Sequence, residues 1–163
     1  MKALYETYLS FLRGVCHRYV PDPDATKDIL QDSFIKIFRS INTFEYRGAG
    51  SLRAWMKQVT TYQALSYIRS RRHFFLLDET YDLPEETTET EPDIASVPTE
   101  AIQEMIQELP TGYRLVFCLY AIDGLSHKQV AHQLGIKEGT SASQYARAKK
   151  ILAKKIQDYL DKV

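Results

Sequence analysis

Thr140, Ser143, Gln144 and Arg147 recur at three- and four-residue steps and so fall near one face of a helix. Two hydroxyls, an amide and a guanidinium suit donor and acceptor reading of base edges in a major groove, with Gln matched to adenine and Arg to guanine. Lys128, Lys137, Lys149 and Lys150 lie around that face and suit phosphate contact or plain solvation. The catalytic alternatives are thin. Asp28 and Asp32 lie one helical turn apart and would need His17 or His73 to complete a metal site, and no motif joins a nucleophile, a base and a ligand set. His127 and His132 have no acidic neighbour at ligand spacing, so solvated or capping roles are predicted. Cys16 and Cys118 fit no CxxC pattern and are read as reduced core residues. Neither an enzyme activity nor a cofactor or metal is expected.

A reading face must be held at a fixed angle to a neighbouring helix. Ser126-His127-Lys128-Gln129 is a capping-box pattern opening a helix through Val130, Ala131 and Leu134. Gly135 then allows a tight turn, and a long basic helix begins near Glu138. Small Ala131 at the crossing, Ile136 beneath the turn, and Tyr145, Leu152 and Ile156 as anchors complete helix-turn-helix spacing. Upstream, Ile102, Met105, Ile106 and Leu109 mark a short helix stopped by Pro110. A very apolar helix is predicted from Tyr113 to Ile122, ending at Gly124.

The N-terminal half reads as three helices. Tyr5, Leu9, Leu12, Cys16 and Tyr19 recur at helical spacing until Pro21-Asp22-Pro23-Asp24 breaks the helix and offers an N-cap. In the second helix Leu30, Phe34, Ile37 and Ile41 form an apolar face, and Asp28, Gln31, Asp32, Lys36 and Arg39 gather opposite, free of any core. Gly48-Ala49-Gly50-Ser51 forms a loop ending in an N-cap residue. A third helix is predicted from about Leu52 to Arg72 through Trp55, Val59 and Ile68, with the basic end Arg69-Ser70-Arg71-Arg72-His73.

At 163 residues the chain is one ordinary domain or two small ones, and 44% hydrophobic with 26% charged residues excludes a disordered chain. Seven Gly and six Pro are too few for a many-stranded protein, so the expected class is all-α. The longest apolar run, Leu115 to Ile122, is too short to span a membrane, and Met1 to Glu6 lack a signal-peptide core. A cytoplasmic protein with no stable membrane insertion is expected. The zero net charge hides an asymmetry: residues 1–76 carry +6, residues 77–110 carry −11 and residues 111–163 carry +5. Two basic blocks around an acidic one suggest nucleic-acid-binding modules joined by a linker, against the plainer reading of a solvated acidic loop. The predicted organisation is a domain over 1–76, a flexible acidic linker over 77–97 with little apolar surface, and a helix-turn-helix domain over 98–163.

Together these segments resemble the bacterial sigma factors called ECF, for extracytoplasmic function, which are minimal sigmas of two helical domains and a linker. Asp28 through Arg39, DILQDSFIKIFR, looks like the family's polymerase-binding helix, usually D-L-V-Q-E-T-F-L-K-A-W-R. Leu52-Arg53-Ala54-Trp55-Met56 is similar to its F-R-A-W-L melting motif, and Gly124 through Lys149 to its promoter-reading helix-turn-helix. The resemblance implies that Asp28, Gln31, Asp32, Lys36 and Arg39 dock on the clamp coiled coil of core RNA polymerase. It implies that Thr43 through Gly50 is a specificity loop capturing a base flipped from the minus-ten element of promoter DNA. Phe44, Tyr46 and Arg47 would serve that capture, with Arg53 and Trp55 in the melting motif; Phe44 and Trp55 also suit core packing, and for Trp55 a core anchor is the first reading. Arg69, Arg71 and Arg72 would contact phosphates, or simply complement the helix dipole. Lys128, Thr140, Ser143, Gln144, Arg147 and Lys150 would engage the minus-thirty-five element. An anti-sigma factor is the further partner implied.

The chain departs from the family pattern in places. Thr61-Tyr62 stands where Arg-Asn is usual, Ser66 where Asp is usual, and Gly139 through Gln144 reads GTSASQ against G-T-V-K-S-R. Lys137 replaces the usual Ser N-cap. Promoter sequence therefore does not transfer from the family. The rivals are a helix-turn-helix regulator that works without polymerase, which leaves the first basic domain unexplained, and a pure interaction module, which leaves both unexplained.

Overall fold

Pro21 and Pro23 divide the first two helices as the sequence predicts. Helix α1 (Lys2–Tyr19) stops at Val20 in extended geometry, and α2 (Pro23–Ser40) opens with the Asp22 carboxylate accepting from the Ala25 N–H at 2.7 Å. The structure, a computed structural model, describes residues 1–71 and 92–162, and every regular element among them is helical. Two compact units result, one ending at Arg72 and the other beginning at His73.

In the first unit α1, α2 and α3 (Ser51–Ser70) pack pairwise around Leu12, Val15, Tyr19, Phe34, Ile37 and Met56. Ile41 does not join that core. The Ser40 hydroxyl donates to the Lys36 carbonyl and the Thr43 hydroxyl to the Ser40 carbonyl, so the helix tightens into a 3-10 turn over Ile41–Thr43. Ile41 is left exposed, and Ala25 and Ile29 extend the buried face instead. Cys16 is fully buried, with Sγ 3.9 Å from the Thr26 carbonyl, and burial pushes its thiol up to about 11. Its contribution to stability is therefore complete below the ordinary thiol range and is lost as pH rises from about 9 toward 11. Both buried cysteines are expected to resist an aromatic disulfide reagent at pH 8 in the native chain and to react in urea. Native-state labelling of Cys16 within seconds would contradict this packing.

In the second unit Asp93 caps a 3-10 turn (Ile94–Ser96) and Val97 is buried before α4 (Thr99–Gln107) begins. Residues 77–91 of the sequence-defined linker lie outside the described residues, as do Arg72 and His73. Helix α5 (Thr111–Phe117) follows Pro110. Its Arg114 is buried and donates to the carbonyls of Gln107 and Leu109, at 3.0 and 2.8 Å. These carbonyls lie at and just past the end of α4, so Arg114 closes that helix from the inside; burial lowers its proton affinity below that of a solvated guanidinium.

The single helix predicted over Tyr113 to Ile122 changes period midway. Cys118–Ile122 form a π turn in which the Asp123 N–H donates five residues back to the Cys118 carbonyl, at 2.9 Å. The wider turn leaves Cys118 and Leu119 in the core and carries Tyr120 to its edge. Helices α6 (His127–Leu134) and α7 (Glu138–Leu160) complete the unit, joined through Gly135 at φ 67°, where the left-handed backbone favours glycine. No helix among the described residues is long and apolar enough to cross a membrane.

Candidate nucleic-acid interface

The loop before α3 is held by one hydroxyl. Ser51 accepts from the Arg47 N–H at 3.2 Å and donates to the Gly48 carbonyl at 2.8 Å. Gly48 and Gly50, at φ 106° and 82°, give the backbone the left-handed turns that this closure needs. The sequence reading made Ser51 the N-cap; Gly50 caps α3, and Ser51 is its first residue, freed to staple the loop. Beneath the loop lies an open cavity of about 510 Å³ whose wall includes Phe44, Arg47, Trp55 and Gln58. Phe44 lies against Trp55 with ring centroids 5.4 Å apart. Tyr46, 75% exposed, stands clear of the protein, and Arg47 pairs with Glu45 at 3.0 Å on the surface.

Trp55 is not the core anchor that the sequence reading preferred. Met56, Thr60, Ala64, Leu65 and Ile68 face the core from α3, whereas Trp55 lies on the opposite face and is half-buried beside Phe44. Arg53 turns away from the loop cavity and sets its guanidinium 4.0 Å from the centre of the Phe11 ring on α1. At the far end of α3, Arg69 and Arg71 are exposed, lying 5.6 Å from the Tyr62 ring and 4.4 Å from the Tyr67 ring. Arg72 lies outside the described residues.

On α2, Asp28, Gln31, Asp32, Lys36 and Arg39 are all exposed, with Ile35 among them at 42% exposure. Shallow depressions run along this face toward Gln63 of α3. A charged rim around one apolar side chain is the composition of a protein-docking patch. His17, the sequence-level candidate to share a metal with Asp28 and Asp32, instead approaches the Thr26 hydroxyl at 3.5 Å.

In the second unit the capping box forms as read. Ser126 Oγ accepts from the Gln129 N–H at 3.2 Å, and the Gln129 side chain accepts from the Ser126 N–H at 2.8 Å. The α7 surface is rotated from its sequence-level placement. Ser141, Gln144, Ala148, Ile151 and Leu152 are buried, so Gln144 is a core residue and leaves the set of base-reading candidates. The physical reason is the angular centre of the core: Ala148 and Ile151 belong to it, and they pull Gln144, one turn from each, inward. The exposed face is centred on Ala142, Ser143, Ala146 and Lys150. Thr140 and Arg147 lie at its border, with Arg147 Nη1 3.5 Å from the Tyr113 hydroxyl. Lys128 is exposed on α6.

The sequence reading also missed what fixes the start of α7. His127 Nδ1 and Ser141 Oγ are 3.0 Å apart, and the His127 ring stacks flat on Tyr120 with centroids 4.0 Å apart. Ser141 occupies the position of the family's usual Val, and the departure itself was the available signal: a buried hydroxyl there calls for a partner.

Comparison with known proteins agrees with both halves. Residues 4–74 match the family described as sigma-70 region 2, and residues 99–152 match sigma-70, region 4. The ECF RNA polymerase sigma factor SigE of Mycolicibacterium smegmatis is 30% identical over 140 residues, covering 83% of this chain and 52% of that protein. The chain thus spans about half the length of that relative. It spans most of two others: the sigma-E factor of Haemophilus influenzae, at 28% identity (94% and 86% covered), and SigW of Bacillus subtilis, at 26% (95% and 88%). Among solved structures, the sigma factor RpoE of Bartonella quintana, crystallised with the anti-sigma factor NepR, is similar with TM-score 0.56 and 22% identity over 96% of each chain, a likeness of fold.

Proposed function

The chain belongs to the sigma-70 family, in its ECF group, and from that premise we infer that it binds core RNA polymerase and directs initiation at promoters with minus-ten and minus-thirty-five elements. The observation that carries the reading is the pairing of a docking helix and a loop cavity in one unit with a helix-turn-helix in the other. The α2 patch of Asp28, Gln31, Asp32, Lys36 and Arg39 engages the polymerase. Tyr46 and Arg47, beside the Phe44 and Trp55 pair, capture an unpaired minus-ten base, and Arg69 and Arg71 hold nearby phosphates. Ser143 and Lys150, with Thr140 and Arg147 at the border, meet the minus-thirty-five element. Arg53, committed to Phe11, supports the α1–α3 contact rather than DNA.

Sigma factors are non-catalytic subunits, and the polymerase makes the bonds. The site of action is the cytoplasm, where polymerase and chromosome lie. An anti-sigma factor is the expected regulator, as NepR accompanies the Bartonella protein.

The test is transcription from a random promoter library by core polymerase, with and without this protein, with start sites read by sequencing. New starts sharing two spaced upstream motifs are expected. DNA binding without new starts, where the same polymerase responds to a control sigma, would favour a regulator that works without polymerase.

A further inference from the structure

We propose that Tyr62 is a second stacking platform for the unpaired strand of a melted promoter, two helical turns along α3 from the loop cavity; this rests on the promoter-opening reading above. Opposite the core-facing residues Met56, Thr60, Ala64 and Ile68, α3 carries Trp55, Tyr62 and Arg69 at steps of seven residues. Successive members are about 10 Å apart along the helix, the length of three stacked nucleotides. Tyr62 is 60% exposed, and the Arg69 guanidinium lies 5.6 Å from its ring centre, which places a cation for the backbone beside a surface for the base.

The charge of the helix selects the occupant. Over Ser51–Ser70 there are three cations, Arg53, Lys57 and Arg69, and no carboxylate, so the face suits a polyanion. In a duplex the base faces are covered by their neighbours, and Tyr62 has nothing to stack on. In a single strand every base presents one, whatever its identity, so this platform adds affinity with little sequence preference. The chain has Tyr here where the family commonly has Asn, a side chain that offers hydrogen bonds and no ring.

The experiment uses holoenzyme assembled from core polymerase and the full chain, on a promoter recovered from the library. The non-template strand of a pre-opened bubble carries 2-aminopurine at one position at a time. The wild type is expected to quench at the position held by the loop and again about three nucleotides away. Tyr62→Ala should lose the second quench alone and bind the bubble roughly tenfold more weakly, Tyr62→Phe should keep both, and binding to the closed duplex should not change. A Tyr62→Ala holoenzyme with wild-type quenching and affinity would overturn the proposal. An equal loss in Tyr62→Phe would also overturn it, by assigning the effect to the hydroxyl. Failure of the wild type to initiate at all, beside a working control sigma, would remove the underlying reading and this one with it. Thermal melting followed by circular dichroism separates these outcomes from misfolding, since an exposed ring carries little of the stability.

Discussion

Tyr46→Ala is expected to lower promoter-specific transcription by a factor of ten or more while leaving polymerase binding unchanged. The ring is 75% exposed and rests on nothing, so its removal costs the fold little, within about 0.5 kcal/mol. What it removes is a surface for a base in the opened strand, and such stacking contributes about 1–3 kcal/mol, equivalent to roughly 5- to 150-fold in affinity. The loop itself stays closed because the Ser51 staple and the glycine turns do not involve the Tyr46 side chain. Permanganate footprinting of unpaired thymines measures opening, and competition against a second sigma measures docking. Loss of docking in Tyr46→Ala would break the division of labour between the loop and α2.

The largest stability effect is expected at Arg114. Arg114→Met keeps an aliphatic stem of similar reach but removes donors from the carbonyls of Gln107 and Leu109. A buried acceptor left without a partner costs about 1–3 kcal/mol, so the two together should lower unfolding stability by about 3 kcal/mol. Arg114→Lys, with one compact ammonium in place of a fork, should recover part of it. Urea denaturation followed by far-ultraviolet circular dichroism is the measurement. A midpoint equal to wild type in Arg114→Met would show that water reaches those carbonyls and that Arg114 does not close α4.

Most of the helical plan was legible because it rests on local chemistry. Pro21 and Pro23, the Ser126 and Gln129 box and Gly135 act on their own neighbours, and the structure places each where its chemistry requires. The misplacements share a different cause. Gln144 was set outward and Trp55 inward because a helical wheel gives relative angles only, and the direction of the core comes from neighbouring helices. Both helices mix small, polar and apolar residues around much of the circumference, and α3 puts Thr60 and Thr61 into the core. The Arg53 contact with Phe11 and the π turn were likewise beyond the sequence, since one spans forty-odd residues and the other depends on tertiary packing.

The π turn gives the second unit an unusual relation to its own gene. A turn of this kind holds one more residue than the α-helix around it. Deleting a single codon within Cys118–Ile122 would restore a regular helix and rotate everything beyond it by about 100°, carrying Tyr120 off the His127 ring. Inserting one would turn it the other way. Drift by substitution is open to this segment, but drift in length is not, and the segment's codon count is tied to the angle at which α7 is presented.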